Sequence, residues 1–313
     1  MNNSAKHFLF IIFIAICISP SYVFAKTKGS ETIQFEKDSN YKSSVSIGLG
    51  VYDSTIKRWS KAIKRASFDS DSWIWSITSN DFKHKNKSRD AILIVPDTSD
   101  SESITLVIWF HGLNGFGKRT FEKRLIPQLN DLVENGNSIA LAIPEMPWSI
   151  NTSTPRGRQG RVWRKKGELT NFIDQAKNRL NEWSETKHGE RINNFEIVFV
   201  GHSAGGSALM SASEEGSLCS NKPKAILWSD ASYGSWLKRA FEGCMKCLSQ
   251  EQEGHILVRK WGKPHLQAEK VLGSKKSKIN LKILYNVLDR KYWKHSEIGD
   301  NAILLTDIFP SGC

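Results

Sequence analysis

Apolar and polar positions along this chain follow two regimes. Between Ser44 and Val95 the apolar runs are short: a Ser/Gly/Val stretch, the alternating run Ser72-Trp-Ile-Trp-Ser-Ile-Thr78, and the continuous run Ala91-Ile-Leu-Ile-Val95. Period-two alternation and short β-branched runs predict strands, and these suit the opening antiparallel strands of a mixed sheet. A basic helix is expected around Thr55 to Ala66. From Thr105 the pattern becomes a regular alternation. The buried-strand run Thr105-Leu-Val-Ile-Trp-Phe110 is followed by helix Thr120 to Glu134, strand Ser138 to Ile143, helix Glu168 to Trp183 and strand Glu196 to Val200. Then come helix Ala204 to Ala212, strand Ala225 to Trp228, helix Trp236 to Leu248, strand His255 to Arg259, helix His265 to Leu272 and strand Asn280 to Val287. Strands alternating with helices imply parallel crossovers, with helices covering both faces of the sheet. The predicted fold class is therefore α/β, a doubly wound, mostly parallel sheet flanked by helices.

Residues 1–25 stand apart from this pattern. Lys6 and His7 precede the apolar run Phe8 to Ile18, and Val23-Phe-Ala25 supplies residues suited to a cleavage site, so a secretory signal peptide cut after Ala25 is expected. The run is shorter than the roughly 20 residues of a transmembrane helix. Residues 26–43 are polar and expected to be irregular, and 44–313 form one domain. The formal charge of +12 falls to +11 with the leader, which carries one Lys and no Asp or Glu. A basic exported surface favours anionic contacts such as membrane or cell wall, with solubility as the simpler explanation. No nucleic-acid-binding motif is present. Four cysteines remain after the leader, Cys219, Cys244, Cys247 and Cys313. An even number in an exported chain points to disulfides, with three connectivities open. Cys244 and Cys247 have CxxC spacing but neither a thioredoxin-like context nor a second metal-ligand pair, so stapling is preferred to redox or zinc chemistry.

The most informative segment is Phe195-Glu-Ile-Val-Phe-Val-Gly-His-Ser-Ala-Gly-Gly206, where an apolar strand breaks into Gly-x-Ser-x-Gly and then into helix formers. A serine hydroxyl is a poor nucleophile unless exposed on a sharp turn beside a base and backbone N–H donors, and this layout presents Ser203 in that way. Phe110-His-Gly112 follows the first parallel strand. With these two motifs in this order, the chain from about Thr105 to about His295 resembles the α/β-hydrolases, serine hydrolases of esterase or lipase type. The resemblance implies a base after the last strand, which designates His295, with His265 and His255 as rivals. It also implies oxyanion donors in the backbone amides of Ala204 and Leu113, with His111 and Gly112 shaping the loop. The usual family position for the acid reads Arg259-Lys-Trp-Gly-Lys-Pro-His265 and holds no carboxylate. Some members carry the acid one strand earlier, and Ala225-Ile-Leu-Trp-Ser-Asp230 ends in one. Asp230 is the assignment and Asp289 the runner-up.

The loop after Pro144-Glu-Met-Pro-Trp148 carries Arg156, Arg158 and Arg161. Such loops rim the site in parallel sheets, so these arginines are candidates for an anion-binding rim, against the simpler account of a solvated basic loop. Trp148 and Trp163 are candidates to line a substrate groove or to fill the core. The expected function is exported ester hydrolysis through an acyl-enzyme, with Ser203 as nucleophile, His295 as base and Asp230 as acid, on a small-molecule or lipid ester. This chemistry requires no cofactor or metal. Two alternatives stay open: a peptidase or amidase acting on cell-wall peptides with the same triad, and a binding protein on a hydrolase scaffold.

Overall fold

Successive side chains of a strand leave opposite faces of a sheet, and the central strands here are apolar on both. Leu106, Ile108 and Phe110 enter one hydrophobic core, while Val107 and Trp109 enter another. The computed structural model describes residues 24–27, 30–36, 42–48, 51, 56, 63, 68–77, 90–112, 125–145, 160–275 and 280–309. The strands are β1 (Phe24–Thr27), β2 (Ser30–Glu36), β3 (Lys42–Ile47), β4 (Ser70–Ser76), β5 (Asp90–Pro96), β6 (Ser103–Phe110), β7 (Ile139–Pro144), β8 (Asn194–His202), β9 (Ala225–Ser229), β10 (Glu253–Arg259) and β11 (Lys282–Leu288). The helices are α1 (Ile126–Glu134), α2 (Glu168–His188), α3 (Gly206–Glu215), α4 (Ser217–Ser220), α5 (Trp236–Glu242), α6 (Lys263–Lys275) and α7 (His295–Asp300).

Among the described residues these eleven strands form one sheet in the order β1-β2-β3-β4-β5-β7-β6-β8-β9-β10-β11. From β7 across to β11 every pairing is parallel. Helices α2, α3, α5 and α6 feed the first core, and α1 and α7 the second, which is the doubly wound arrangement. Right-handed crossovers on opposite faces must travel in opposite directions along the sheet. The chain accordingly leaves β6 through α1 toward β7, and leaves β8 through α3 toward β9. The carboxyl ends of β6 and β8 are neighbours whose continuations diverge, and such a reversal opens a crevice.

Two departures from the sequence expectations have simple causes. Phe24–Thr27 and Ser30–Glu36 are strands rather than irregular chain, and they pair antiparallel, with β2 continuing onto β3 through Ile33↔Val45. The outer strands of a sheet tolerate polar composition, so polarity alone does not exclude a strand there. In addition β3 and β4 pair in parallel although their flanking pairs are antiparallel. The long connection between them permits a crossover, and Ile56 and Ile63 within it are helical. The rest of the basic helix expected at Thr55–Ala66 lies outside the described residues, as does the leader except for Phe24 and Ala25.

The helix expected over Trp236–Leu248 instead stops at Glu242, and Cys244–Cys247 forms a 3-10 turn. At Gly243 the backbone approaches α3 so closely that a Cβ would lie 2.7 Å from the carbonyl oxygen of Ser213. Cys244 then bonds to Cys219, across a sequence separation of 25, and Cys247 is a free, exposed thiol. Closing a loop of that length restricts the unfolded chain by about 3.5 kcal/mol. Replacing both Cys219 and Cys244 by Ser should therefore lower the free energy of unfolding in urea by about that amount. Cys247→Ser should change it by less than about 0.5 kcal/mol, and equal midpoints for all three proteins would contradict the assignment of a stapling role.

Candidate active site

The β8 run ends in a turn that only close packing can hold. Ser203 has φ 53° and begins the 3-10 turn Ser203–Gly205, from which α3 runs on. Gly205 is required there because a Cβ would lie 2.1 Å from the carbonyl oxygen of Phe110, at the end of β6. Gly112 on the other side has the same character, since its Cβ would sit 3.0 Å from the Ser203 Cβ. The two sequence motifs thus meet at the crevice, with His111 buried and donating from Nδ1 to the Gly112 carbonyl at 2.9 Å.

Backbone strain is concentrated along this edge of the sheet. Among the described residues the non-glycine residues with positive φ are Ser203, Lys222, Asp230 (44°) and Trp261 (61°). Ser203 and Asp230 directly follow the carboxyl ends of β8 and β9, and Trp261 lies two residues beyond the end of β10. Each costs about 1–3 kcal/mol and persists only where the surroundings over-determine it.

Asp230 has no exposure to solvent. Its Oδ2 accepts from His295 Nδ1 at 2.6 Å and from Arg259 Nε at 3.1 Å, while the Arg259 amide donates to Oδ1 at 3.4 Å. Burial pushes the carboxyl toward protonation, but the hydrogen bond and charge of His295, joined by the Arg259 amide and guanidinium, outweigh it and hold the pKa below the usual carboxylate value. An ionised carboxylate on Nδ1 leaves Nε2 of His295 available as a base. Asp289, by contrast, is exposed and accepts from the Lys291 amide at 2.8 Å, within its own turn.

His295 is carried into place by α7. Ser229 Oγ donates to the Ile298 carbonyl at 3.0 Å, and His202 Nε2 donates to the His295 carbonyl at 3.1 Å. The His202 and His295 rings lie 4.9 Å apart, and Gly299 packs directly on the His202 ring. His202 therefore braces the helix that bears His295, which sets the imidazole beside the residue preceding Ser203. Among the described residues Ser203 Oγ and His295 are not themselves hydrogen-bonded. In enzymes, a hydrogen bond between nucleophile and base often closes only when substrate is bound.

The other sequence candidates have different positions. His255 is buried on β10 and bonded to Glu253 at 2.9 Å, and His265 is buried on α6, accepting from the Trp261 amide at 3.2 Å. Both are structural. Trp163 is fully buried against Phe110 and Phe172, so it fills the core rather than a groove. Ala204 directly follows Ser203 at the head of α3. Arg161 opens the 3-10 turn Arg161–Arg164, whereas Leu113, Trp148, Arg156 and Arg158 lie outside the described residues. Sequence analysis missed Arg259, His202 and Tyr233, whose ring lies 6.2 Å from that of His295. The missing information was spatial: Leu257 pairs with Ser229, which brings Arg259 to Asp230. Two cavities of about 580 and 590 Å³ lie away from this site, one between α2 and β3–β4 and the other between α6 and β11. No group of three or more His, Cys, Asp or Glu among the described residues could hold a metal ion.

A parallel sheet with reversed crossovers, a strained serine at the end of its central strand and an Asp–His pair delivered from the following strand and the last helix define an α/β-hydrolase fold. A known structure agrees with this fold. The chain is similar to "Enterobactin and Salmochelin Hydrolase IroE" at 15% identity and a TM-score of 0.50, over 80% of this chain and 99% of that one. The corresponding figures are 15%, 0.49, 80% and 99% for "Enterobactin Hydolase IroE Complex with DFP", and 15%, 0.43, 75% and 78% for an IroE-like serine hydrolase from Shewanella oneidensis. No family model and no curated sequence matches the chain.

Replacing Arg259 by Met should remove the guanidinium, one of the two side-chain donors to Asp230, and cost about 2 kcal/mol of stability at neutral pH. Because the folded pKa of Asp230 is depressed, its contribution is present above the unfolded value of about 3.9 and is lost as pH falls through the lower folded value. In Arg259→Met the folded value rises, so acid unfolding should begin at higher pH than in the parent. Urea titrations through the acid range would read this, and superimposable acid limbs would exclude the role given to Arg259.

Proposed function

We propose that the protein is an exported serine hydrolase that cleaves carboxylic esters through an acyl-enzyme. The observation that carries this reading is the 2.6 Å bond from His295 to a fully buried Asp230, next to a serine held at positive φ. In the proposed cycle His295 Nε2 takes the Ser203 proton as Oγ attacks the ester carbonyl, then passes it to the leaving alkoxide. Water enters by the same route in reverse and releases the acid. Asp230 stabilises the imidazolium and fixes the tautomer. The Ala204 and Leu113 amides are the proposed donors to the tetrahedral oxyanion, where loss of one donor typically costs about 3 kcal/mol. Ester hydrolysis is preferred to amide hydrolysis because alkoxide leaves more readily than amine. The name of the similar structure at a TM-score of 0.50, an enterobactin and salmochelin hydrolase, points the same way. Export rests on the leader at 1–25 and is supported by the Cys219–Cys244 disulfide, a bond favoured in oxidising compartments. No helix among the described residues is long and apolar enough to cross a membrane.

A fluorophosphonate probe should label the mature protein and not Ser203→Ala; absence of label on both would favour a binding protein. With a short-chain aryl ester, Asp230→Asn should lose kcat by about 10⁴-fold, while Asp289→Asn should stay within about twofold. A reversed ranking would transfer the acid to Asp289.

A further inference from the structure

The loops that flank His295 expose side chains that a hydrolase of soluble substrates has no need to expose. Lys260 donates its amide to the Leu288 carbonyl at 2.9 Å, so the turns after β10 and β11 leave the sheet side by side. Each turn carries an aromatic outward: Trp261 is 68% exposed and Tyr292 is 69% exposed. These are the exposed aromatics among the large hydrophobics of the described residues. The backbone of each turn carries a local hydrogen bond. Trp261 is held at φ 61° with its amide on His265, and the Tyr292 amide donates to the Asp289 carbonyl at 3.1 Å. A bulky residue kept in a strained conformation while projecting into water is a feature that packing does not explain.

The surroundings of the two rings are basic. Lys260, Lys263, Arg290, Lys291 and Lys294 are exposed on these two turns and at their ends, against the carboxylates of Asp289 and Glu297. Lys260 lies over the Trp261 ring at 5.7 Å and Lys291 over the Tyr292 ring at 5.2 Å. Tryptophan and tyrosine have an apolar body and a polar edge, which suits them to the headgroup layer of a bilayer. Lysines around them add attraction to anionic headgroups, each worth more at low salt.

We infer that this rim docks the protein on an anionic lipid bilayer, with Trp261 and Tyr292 entering the headgroup layer and the crevice of Ser203 facing the surface. The inference rests on the proposed hydrolase activity only for its consequence, which is that amphiphilic esters held in the surface are the favoured substrate class. Binding itself requires no catalysis.

The test is cosedimentation of mature protein with vesicles of phosphatidylcholine alone and of phosphatidylcholine with one-third phosphatidylglycerol, run with both the parent and Ser203→Ala. Both proteins should bind the anionic vesicles at least tenfold more tightly than the neutral ones, with a blue shift of tryptophan emission and loss of binding in high salt. Trp261→Ala/Tyr292→Ala should weaken anionic binding by tenfold or more, as should Lys260→Gln/Lys291→Gln/Lys294→Gln, with hydrolysis of a soluble short-chain ester unchanged in each. Equal binding to both vesicle types, no binding to either, or parent-like binding by the aromatic variant would overturn the inference. Fluorophosphonate labelling without lipid reports separately on the catalytic reading.

Discussion

A carboxylate without contact to water stays charged at the end of β9 because a guanidinium and an imidazole N–H converge on it from elements far apart in sequence. Arg259 arrives from the next strand and His295 from the last helix, and Asp230 is the point where both are tied. Removing either donor would leave a buried charge short of compensation, a costlier state than never burying the charge. The same bond that stabilises the edge of the sheet therefore orients the imidazole.

The geometry around that bond follows from the sheet. Parallel strands of opposite crossover direction leave the ends of β6 and β8 adjacent, and α3 must then start almost on top of β6. Contact between Gly205 and the Phe110 carbonyl leaves no room for a side chain, and the turn between them projects Ser203. Helix α7 is fastened from beneath by Ser229 and His202, so His295 is set by side chains of the two strands that also lead into Ser203 and Asp230. Strain at Ser203, Asp230 and Trp261 marks the edge on which the functional proposals depend.

The parts of the site legible in the sequence were those encoded locally. A β-branched run broken by glycines can be read without knowing its neighbours, which is why the elbow at Ser203 and its strand were recognisable from residues 195–206 alone. Asp230 required exclusion, since the usual position for the acid holds none. The role of Arg259 was invisible because it depends on the register of β9 against β10. Trp163 could have lined a groove or filled the core, and only its packing on Phe110 and Phe172 decides for the core. Likewise the four cysteines left three connectivities open in the sequence, and only the fold joins Cys244 to Cys219 on a neighbouring helix.

By itself, the sequence determined the α/β class, the alternation of strands and helices from Thr105 and the position of the elbow serine, because each depends on periodicity and backbone preference within a dozen residues. Tertiary structure alone decided which histidine meets which carboxylate, what neutralises that carboxylate, and which aromatics are left in water. Those choices depend on strand register and crossover direction, which bring together residues separated by tens of positions along the chain.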